Sequence, residues 1–385
     1  MRRILIVTGE ASGDLHGANL ANALRGLASD VEVMGVGGPN MAAAGVRLLP
    51  NIRRVDVIGL PGISEIMGAW HNIRTIVRFL RCTPLDAVVF IDHPGTNLRL
   101  ARHAKRAGHR VVYYISPQIW AWAPWRIRLI KRVVDRMLVI LPFEEELYRK
   151  AGVACLFVGH PLLDAVKPAY DRTELRKRFE LDDAEPVIGL LPGSRTGEVT
   201  ALFSVMLEAV RRLREKFPRL AAVVAQASSI SRGVLDRLAE ESGVKVRVVS
   251  DQPNEVMAAS DFLFVASGTA TLQAAIIGTP MVLLYRMPVL NFLLAMVLVR
   301  GYRGGRVQRL DSVGLVNLVA GQRIVTELRQ GDATPEGACA EATRLLGHPA
   351  NMNAMREDLR AVRDMLGSPG ASRRAAAAVL EACGT

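Results

Sequence analysis

Residues 191–198 form a turn whose composition suits a phosphate group: Leu-Pro-Gly-Ser-Arg-Thr-Gly-Glu. The turn follows an apolar, strand-like run at 186–190 and precedes a helix-like stretch at 199–217. Backbone N–H groups and a helix dipole converge at such a point and favour an anion. Arg195 adds a planar, permanently charged donor for diphosphate oxygens, unless it only forms a surface ion pair at an ordinary helix start. The candidate residues of this turn are Gly193, Ser194, Arg195 and Glu198.

A second turn of the same kind follows the apolar run 262–265 and opens another predicted helix. Its free N–H groups are expected to point into the same crevice as those of the first turn. Two helix starts that favour phosphate suggest a nucleoside diphosphate rather than a chance turn. Gln273 is placed to accept a hydroxyl group from the ribose of that nucleotide. The candidate residues here are Ser267, Gly268, Thr269 and Gln273.

Near the start of the chain, polar residues follow the strand-like run Ile4–Val7. In a doubly wound sheet, the loop at the carboxyl end of a strand lines the ligand crevice. Small residues in this loop permit close approach of a ligand to the backbone. The alternative is that Ser12 or Asp14 only caps the helix that follows. The candidate residues are Glu10, Ser12, Asp14 and His16.

Asp92 follows another strand-like run, Ala87–Ile91, and is the candidate general base. A carboxylate at a strand end can accept a proton from a sugar hydroxyl if burial or neighbouring groups keep its pKa suitable. His93 could do the same nearer neutral pH. Alternatively, Asp92 caps a helix that starts near Asn97 or pairs with an arginine. We include Asn97 among the candidate binding residues.

Three of the four tryptophans lie close together, at 120, 122 and 125. Aromatic faces suit sugar stacking or acyl-chain packing, and we name Trp120 as a candidate binding residue. A core cluster under the sheet edge is an equally good interpretation. His160, in a Gly-His-Pro segment, is expected near the crevice, where it contacts the ligand or fixes the turn.

The composition predicts a folded protein with an anionic partner. The chain has 385 residues, half of them apolar and 22% charged, and its net charge is +12, from 49 basic minus 37 acidic residues. We see no nucleic-acid-binding module, so phosphorylated substrates or an anionic membrane are the better expectation. Four dispersed cysteines without a C-x-x-C pair argue against zinc and disulfides and suit a reducing cytosol.

No signal peptide is expected, because Met1-Arg2-Arg3 runs directly into the first strand. The longest apolar stretch, 287–299, has 13 residues and is too short to cross a bilayer. Arginines flank it, so it is interpreted either as a helix on an anionic membrane surface or as a buried helix. These arginines are Arg286, Arg300, Arg303, Arg306 and Arg309.

The elements that would position these residues alternate between strand and helix, which predicts α/β domains with parallel sheets. Further strand-like runs before residue 160 are 31–36, 111–115, 137–140 and 156–158, and those after 186 are 187–191, 221–225, 244–249, 262–265 and 281–284. The simplest architecture is two Rossmann-like, doubly wound domains that face each other across a central cleft. We assign residues 1–168 to the first domain and 187–334 to the second, joined by a polar connection at 167–186. Residues 335–385 are predicted to be helices that pack on the first domain or on a partner subunit.

Together, these motifs resemble those of the lipid-A-disaccharide synthases, a family of GT-B glycosyltransferases. The resemblance covers nearly the whole chain in consistent order. Its most specific parts are GEASGD at 9–14 and LPGSRxxEV at 191–199. The others are SPxxWAW at 116–122, LPFE at 141–144, GHP at 159–161, SGTATL at 267–272 and LVNLVAG at 315–321.

The resemblance implies an inverting transfer. UDP-2,3-diacylglucosamine donates its glucosamine to the 6′-hydroxyl of 2,3-diacylglucosamine 1-phosphate (lipid X), and UDP leaves. Asp92 matches the family's catalytic aspartate, and Arg195 matches an arginine needed for UDP. The resemblance further implies a cytoplasmic enzyme, peripherally associated with the inner membrane, that needs no metal or other cofactor. It leaves a homodimer open.

Two positions depart from the family pattern: Gly95 stands within the usual PDFN segment, and Gln273 stands where a glutamate is usual. Two other function classes remain open. One is another UDP-N-acetylglucosamine enzyme of GT-B fold, such as a MurG-like transferase or a 2-epimerase. The other is an inactive paralogue that binds lipid or nucleotide.

Overall fold

The structure is a computed structural model that describes residues 1–52, 63–121, 123–286, 301–303, 306–308 and 312–384. Its contacts divide the chain into two compact units. The first contains Met1–Pro161, Val299–Arg309 and Gly367–Thr385. The second contains Leu162–Leu298 and Leu310–Leu366.

The first unit is built on a parallel sheet, with seven strands among the described residues. The strands are β1 Arg2–Thr8, β2 Val31–Val36, β3 Arg47–Leu48, β4 Ala87–Ile91, β5 Arg110–Tyr114, β6 Arg136–Val139 and β7 Cys155–Phe157. Their spatial order is β3-β2-β1-β4-β5-β6-β7. In the register, Ile4 of β1 pairs with Val33 on one side and Ala87 on the other. β4 is apolar throughout and wholly buried, as a strand covered on both faces should be.

Helices cover this sheet: α1 Ala11–Leu27, α2 Pro39–Ala43, α3 Ile63–Cys82, α4 Pro94–Arg106, α5 Ile127–Val133, α6 Pro142–Lys150 and α16 Ala371–Cys383. The last helix of the chain, α16, packs against α1. Their shared core brings Leu20 and Leu24 of α1 together with Ala375 and Val379 of α16. The C-terminal segment therefore belongs to the first unit, although it follows the second unit in the sequence.

The second unit repeats the architecture. Its sheet strands are β8 Val187–Leu191, β9 Ala221–Gln226, β10 Arg247–Ser250, β11 Phe262–Ala266, β12 Met281–Tyr285 and β15 Glu327–Arg329. All described pairings are parallel, in the order β10-β9-β8-β11-β12-β15. A separate antiparallel pair, which belongs to the first unit, joins β13 Gly301–Arg303 to β14 Arg306–Gln308.

The helices of the second unit are α7 Leu162–Ala165, α8 Arg172–Arg178, α9 Thr196–Lys216, α10 Arg232–Ser242, α11 Pro253–Ala259, α12 Ala270–Ile277, α13 Leu315–Ala320, α14 Pro335–Leu346 and α15 Pro349–Met365. α14 packs on α9, and α15 packs on α12. No helix in the described part of the chain is long and apolar enough to span a bilayer. The predicted membrane-surface segment 287–299 lies outside the described residues.

The units divide the chain differently from the predicted domains. Residues 167–186 were expected to connect two domains, but they contain α8 and belong to the second unit. Asp261 helps to hold α8 on the second unit, because its carboxylate accepts hydrogen bonds from Arg172 and Arg176 of α8. The predicted helical group 335–385 is also divided. α14 and α15 belong to the second unit, and only α16 belongs to the first.

Candidate functional site

Both sheets have a topological switch point, where the strand order reverses between two adjacent central strands. In the first sheet this point lies between β1 and β4, and in the second between β8 and β11. Ligands of open α/β sheets bind beyond the carboxyl ends of such strands. Four of the segments with candidate residues follow these strands: 9–14 after β1, 92–97 after β4, 192–198 after β8 and 267–273 after β11.

Asp92 lies in a tightly held turn between β4 and α4. Asp92 and His93 are consecutive non-glycine residues with positive φ, 47° and 46°. The backbone carbonyl of Asp92 accepts hydrogen bonds from the Tyr113 hydroxyl at 2.6 Å and from the Asn97 amide at 2.8 Å. Strained backbone of this kind persists only where neighbours enforce it, and it concentrates at functional sites. Asn97 is thus a buried residue that holds the turn, rather than the ligand contact that we predicted.

The environment of Asp92 suits a general base. Burial raises its pKa above the usual value for an aspartate, and the nearby Glu10 carboxylate raises it further. A hydrogen bond from the His93 backbone acts in the opposite direction. The turn also lies close to the loop after β1, because a Cβ on Gly9 would come within 2.5 Å of the His93 ring. A partly desolvated carboxylate at a switch point is the arrangement expected for proton transfer from a hydroxyl group.

The loop after β1 only partly matches the prediction. α1 begins at Ala11, so Ser12 and Asp14 lie inside the helix and neither caps it. Glu10 is the N-cap residue, and both Glu10 and Ser12 are exposed. Asp14 is 4% exposed, and its carboxylate accepts from the backbone N–H groups of Gly38, Asn40 and Met41. The predicted contact of Asp14 with substrate is therefore corrected: this side chain holds the start of α2.

Two predicted histidines of the first unit, His16 and His160, are kept neutral. The His16 ring meets the ring of Tyr114 edge to face, with 6.4 Å between centroids. Burial lowers the pKa of His16, and burial together with His16 lowers the pKa of His160 to about 4. Neutral imidazoles can offer hydrogen bonds to a ligand without adding positive charge. The Nδ1 atom of His16 is buried and has no hydrogen-bond partner among the described residues.

Trp120 is part of a buried hydrogen-bonded cluster and not an exposed stacking surface. It is 5% exposed, and its Nε1 donates to Oε1 of Glu144 at 2.9 Å. The Ser116 hydroxyl donates to the same oxygen at 2.8 Å. The interpretation of Trp120 as core is correct, and its predicted stacking on a sugar is wrong. Trp122 lies outside the described residues.

In the second unit, a pocket of about 420 Å³ opens at the switch point between β8 and β11. Seven predicted ligand-binding residues line it: Gly193, Ser194, Glu198, Ser267, Gly268, Thr269 and Gln273. Gln226 and Asp251, which end or follow β9 and β10, also line the pocket and were not predicted. Their position at the carboxyl ends of neighbouring strands was the available signal. Arg195 is exposed and is not among the lining residues.

The turn after β8 already holds an anion, the side chain of Glu198. Its carboxylate accepts hydrogen bonds from the backbone N–H groups of Ser194 and Arg195, while burial raises its pKa. Gly193 makes this possible, because it has a φ of 111° and a Cβ there would collide with the carboxylate. This corrects the prediction for two of the N–H groups of the turn, because those of Ser194 and Arg195 are not free for a phosphate. The donors that remain are those of the first turn of α9, at Thr196 and Gly197.

In the turn after β11, a hydroxyl group of the turn itself bonds to the backbone. Thr271 Oγ1 donates to the carbonyl of Gly268 at 2.8 Å, and α12 begins directly after Thr269. Gln273, one turn into α12, donates from Nε2 to Oδ1 of Asn254 at 3.1 Å. Among the described residues, no group of three or more His, Cys, Asp or Glu side chains could hold a metal ion. The pocket thus offers helix N-termini, hydroxyls and an amide to a ligand.

A sequence profile described as "Lipid-A-disaccharide synthetase" matches residues 4–381. The chain is 41% identical over 384 residues to the lipid-A-disaccharide synthase of Geobacter metallireducens, covering 100% of this chain and 98% of the relative. It is 42% identical over 382 residues to the enzyme of that name from Syntrophus aciditrophicus, covering 98% and 97%.

Solved structures show the fold at much lower sequence identity. UDP-GlcNAc 2-epimerase from Neisseria meningitidis bound to UDP-GlcNAc matches with a TM-score of 0.63 and 13% identity, covering 98% of this chain and 100% of that one. MurG from Acinetobacter baumannii matches with a TM-score of 0.59 and 12% identity, covering 99% and 100%. The two α/β units with parallel sheets therefore have the GT-B fold, and the chain belongs to the lipid-A-disaccharide synthetase family.

Proposed function

We propose that this chain is an inverting glycosyltransferase of lipid A biosynthesis. It transfers 2,3-diacylglucosamine from UDP-2,3-diacylglucosamine to the 6′-hydroxyl of 2,3-diacylglucosamine 1-phosphate, forming a β-1,6 linkage and releasing UDP. The observation that carries the proposal is the pocket at the second switch point, which seven residues predicted to bind a nucleotide line together. Family membership supports the same reaction.

On the donor side, the task is to hold UDP and to stabilise the charge that develops on it. Glu198 in the first turn of α9 and Ala270 and Gln273 in the first turn of α12 line the pocket, so the N-termini of both helices would favour a bound diphosphate. Arg195, the N-cap residue of α9, would supply the guanidinium that pairs with diphosphate oxygens. Fixed donors of this kind stabilise a departing diphosphate in the transition state.

On the acceptor side, Asp92 would act as the base. Its carboxylate takes the proton of the acceptor's 6′-hydroxyl as that oxygen attacks the anomeric carbon of the donor. The bond between that carbon and the diphosphate breaks, and its electron pair leaves with UDP. Because attack and departure occur on opposite faces of the sugar, the configuration inverts. Burial raises the pKa of Asp92 and so makes its carboxylate a stronger base than an exposed one.

The direct test is to incubate the protein with both substrates and to follow disaccharide and UDP. Replacement of Asp92 by Asn should reduce turnover roughly 10²- to 10⁴-fold while UDP still binds. Asp30→Asn is the matched control, because Asp30 is an exposed carboxylate paired with Arg2. Interconversion of the UDP-sugar without an acceptor would instead indicate an epimerase. UDP binding without any turnover would indicate an inactive paralogue.

We also propose peripheral association with the cytoplasmic side of the inner membrane. Met67 and Trp70 of α3 are 64% and 57% exposed, an unusual position for large apolar side chains. Trp70 lines a groove of about 510 Å³ together with three arginines, Arg74, Arg78 and Arg81. Apolar side chains beside arginines favour an anionic lipid surface.

Vesicle sedimentation tests this association. Phosphatidylglycerol vesicles should retain the protein better than phosphatidylcholine vesicles, and Met67→Ser with Trp70→Ser should weaken the retention. Met365→Ser, at another exposed apolar position, is the control. Equal binding by the double variant would contradict this role of α3. The homodimer remains a prediction, which light scattering in solution can test.

A further inference from the structure

Gln273 does not stand alone in the nucleotide pocket, because a chain of hydrogen bonds fixes its side-chain amide. Its Nε2 donates to Oδ1 of Asn254, in the first turn of α11, at 3.1 Å. A further side-chain hydrogen bond joins Asn254 to the hydroxyl of Tyr170. The Tyr170 oxygen also accepts from the backbone N–H of Lys167 at 3.2 Å. All four residues belong to the second unit.

The donor and acceptor roles in this chain follow from the hydrogen bond between Gln273 and Asn254. The oxygen of Tyr170 can accept both from the backbone N–H of Lys167 and from Asn254. Because Oδ1 of Asn254 accepts from Gln273, the group that Asn254 turns towards Tyr170 is its NH₂, which donates. Gln273 must then keep its NH₂ against Asn254. Its carbonyl oxygen, Oε1, is the atom left to a ligand in the pocket.

We propose that Asn254 is a positioning residue that fixes the amide of Gln273 so that Oε1 accepts a ribose hydroxyl of the bound nucleotide. This inference rests on the proposed binding of UDP in the pocket that Gln273 lines. An unrestrained glutamine can rotate its amide and present an NH₂ group, which cannot accept. Asn254 removes that freedom, and Tyr170 fixes Asn254 in turn. A carboxylate at this position could accept the ribose hydroxyl in either orientation. The neutral amide of Gln273 can do so only when Asn254 holds it in one orientation.

The inference predicts discrimination between nucleotides that differ by one hydroxyl group. A net hydrogen bond of this kind corresponds to roughly a tenfold change in Kd. Calorimetric titrations with UDP, 2′-deoxy-UDP and 3′-deoxy-UDP measure it without any turnover. The wild-type protein should bind UDP roughly tenfold more tightly than at least one of the two deoxy analogues.

Two substitutions of Asn254 separate positioning from general damage. Asn254→Ala releases the amide of Gln273, so the preference for UDP over the deoxy analogue should fall towards one. Asn254→Asp keeps an acceptor for Nε2 of Gln273 and should retain most of that preference. Gln273→Leu removes the acceptor itself and should abolish the preference for UDP over the deoxy analogue. Adding Asn254→Ala to Gln273→Leu should have no further effect on that preference. Asn353→Ala is the control, because Asn353 is an exposed asparagine of the same unit that accepts a hydrogen bond from Arg356.

Different failures have different meanings. If the wild-type protein binds UDP but does not distinguish it from either deoxy analogue, the inference is overturned and the proposed nucleotide site stands. It is also overturned if Asn254→Ala retains the full preference, or if Asn254→Asp loses it to the same extent as Ala while circular dichroism shows an intact fold. If the wild-type protein binds no UDP at all, the proposed function and the inference fail together.

Discussion

The hydroxyl of Tyr113 donates a 2.6 Å hydrogen bond to the backbone carbonyl of Asp92, and so joins β5 to the strained turn that ends β4. Burial raises the pKa of Tyr113 well above its usual value, so the hydroxyl remains a donor throughout the working pH range. The contact does not touch the carboxylate of Asp92. It fixes the backbone from which that carboxylate projects, in a conformation that a non-glycine residue adopts only under constraint.

Tyr113→Phe should therefore lower kcat more than it lowers affinity for UDP. The change leaves the Asp92 carbonyl with one fewer donor in a buried place, which costs about 1–3 kcal/mol of stability. Tyr148→Phe is the matched control, because Tyr148 is also buried and donates to a backbone carbonyl, that of Pro117, at 2.9 Å. Steady-state kinetics and urea unfolding separate the two effects. Equal losses of kcat in both variants would show that the Asp92 turn has no special role.

The pH dependence of activity should report the surroundings of Asp92. A base must be ionised, so kcat/KM should fall as the pH drops through the raised pKa of Asp92. The Glu10 carboxylate contributes to that raised pKa, so Glu10→Gln should lower the pKa and move the acid limb to lower pH. Asp30→Asn, at an exposed carboxylate elsewhere in the first unit, should leave the limb in place. A Glu10→Gln profile that coincides with the wild type would contradict this account.

Most strands of the two sheets were predictable, because each forms a short apolar run that is visible in the local sequence. β2, β4 and β8 have the bounds that their apolar runs predict, and a parallel strand buried on both faces needs no other signal. β3, with two residues, and β15, with three, escaped prediction because so short a strand has no pattern of its own. The alternatives with a cap at Ser12 or Asp14 and a helix start near Asn97 place both helix starts too late, because α1 begins at Ala11 and α4 at Pro94. Neither helix has a side-chain cap that would mark its start in the sequence.

The site residues were predictable where their position follows from residues close to them in the sequence. Gly193 and Ser267 lie within two residues of the ends of β8 and β11, so their spacing from an apolar run is enough to place their turns at the pocket. Asp14 was misinterpreted, and Trp120 was left open between core and sugar stacking, because their partners lie 24 residues away, at Gly38 and Glu144. A polar side chain satisfied by a distant backbone or carboxylate looks the same in the sequence as one that awaits a ligand.

Gly193→Ala should weaken UDP binding more than other changes of glycine to alanine in this turn. Alanine would have to adopt a φ of 111°, and its Cβ would meet the Glu198 carboxylate, so the turn must rearrange. Gly197→Ala is the control, because no heavy atom lies within 4 Å of a Cβ there and the residue is helical. Calorimetric Kd values for UDP compare the two variants. Equal affinities would contradict the role assigned to Gly193.

Glu144 should make the stability of the first unit depend on pH. It is fully buried beneath Ser116 and Trp120, and burial raises its pKa from 4.5 to about 7. A raised pKa means that the folded protein holds the proton more tightly than the unfolded chain. The resulting stability is fully present below pH 4.5 and is lost as the pH rises to about 7. Its size is roughly 3 kcal/mol, from the linkage of proton binding to folding.

Glu144→Gln should remove this dependence, so the stability of the wild type minus that of the variant should be larger at pH 5 than at pH 8. All four tryptophans precede residue 126, so tryptophan fluorescence during urea unfolding reports on the first unit alone. Glu146→Gln is the control, because Glu146 is exposed on the same helix and pairs with Lys150 at 2.6 Å. An unchanged difference between the two pH values would mean that Glu144 does not titrate in this range. Its hydrogen bonds to Ser116 and Trp120 would then hold an ionised carboxylate throughout.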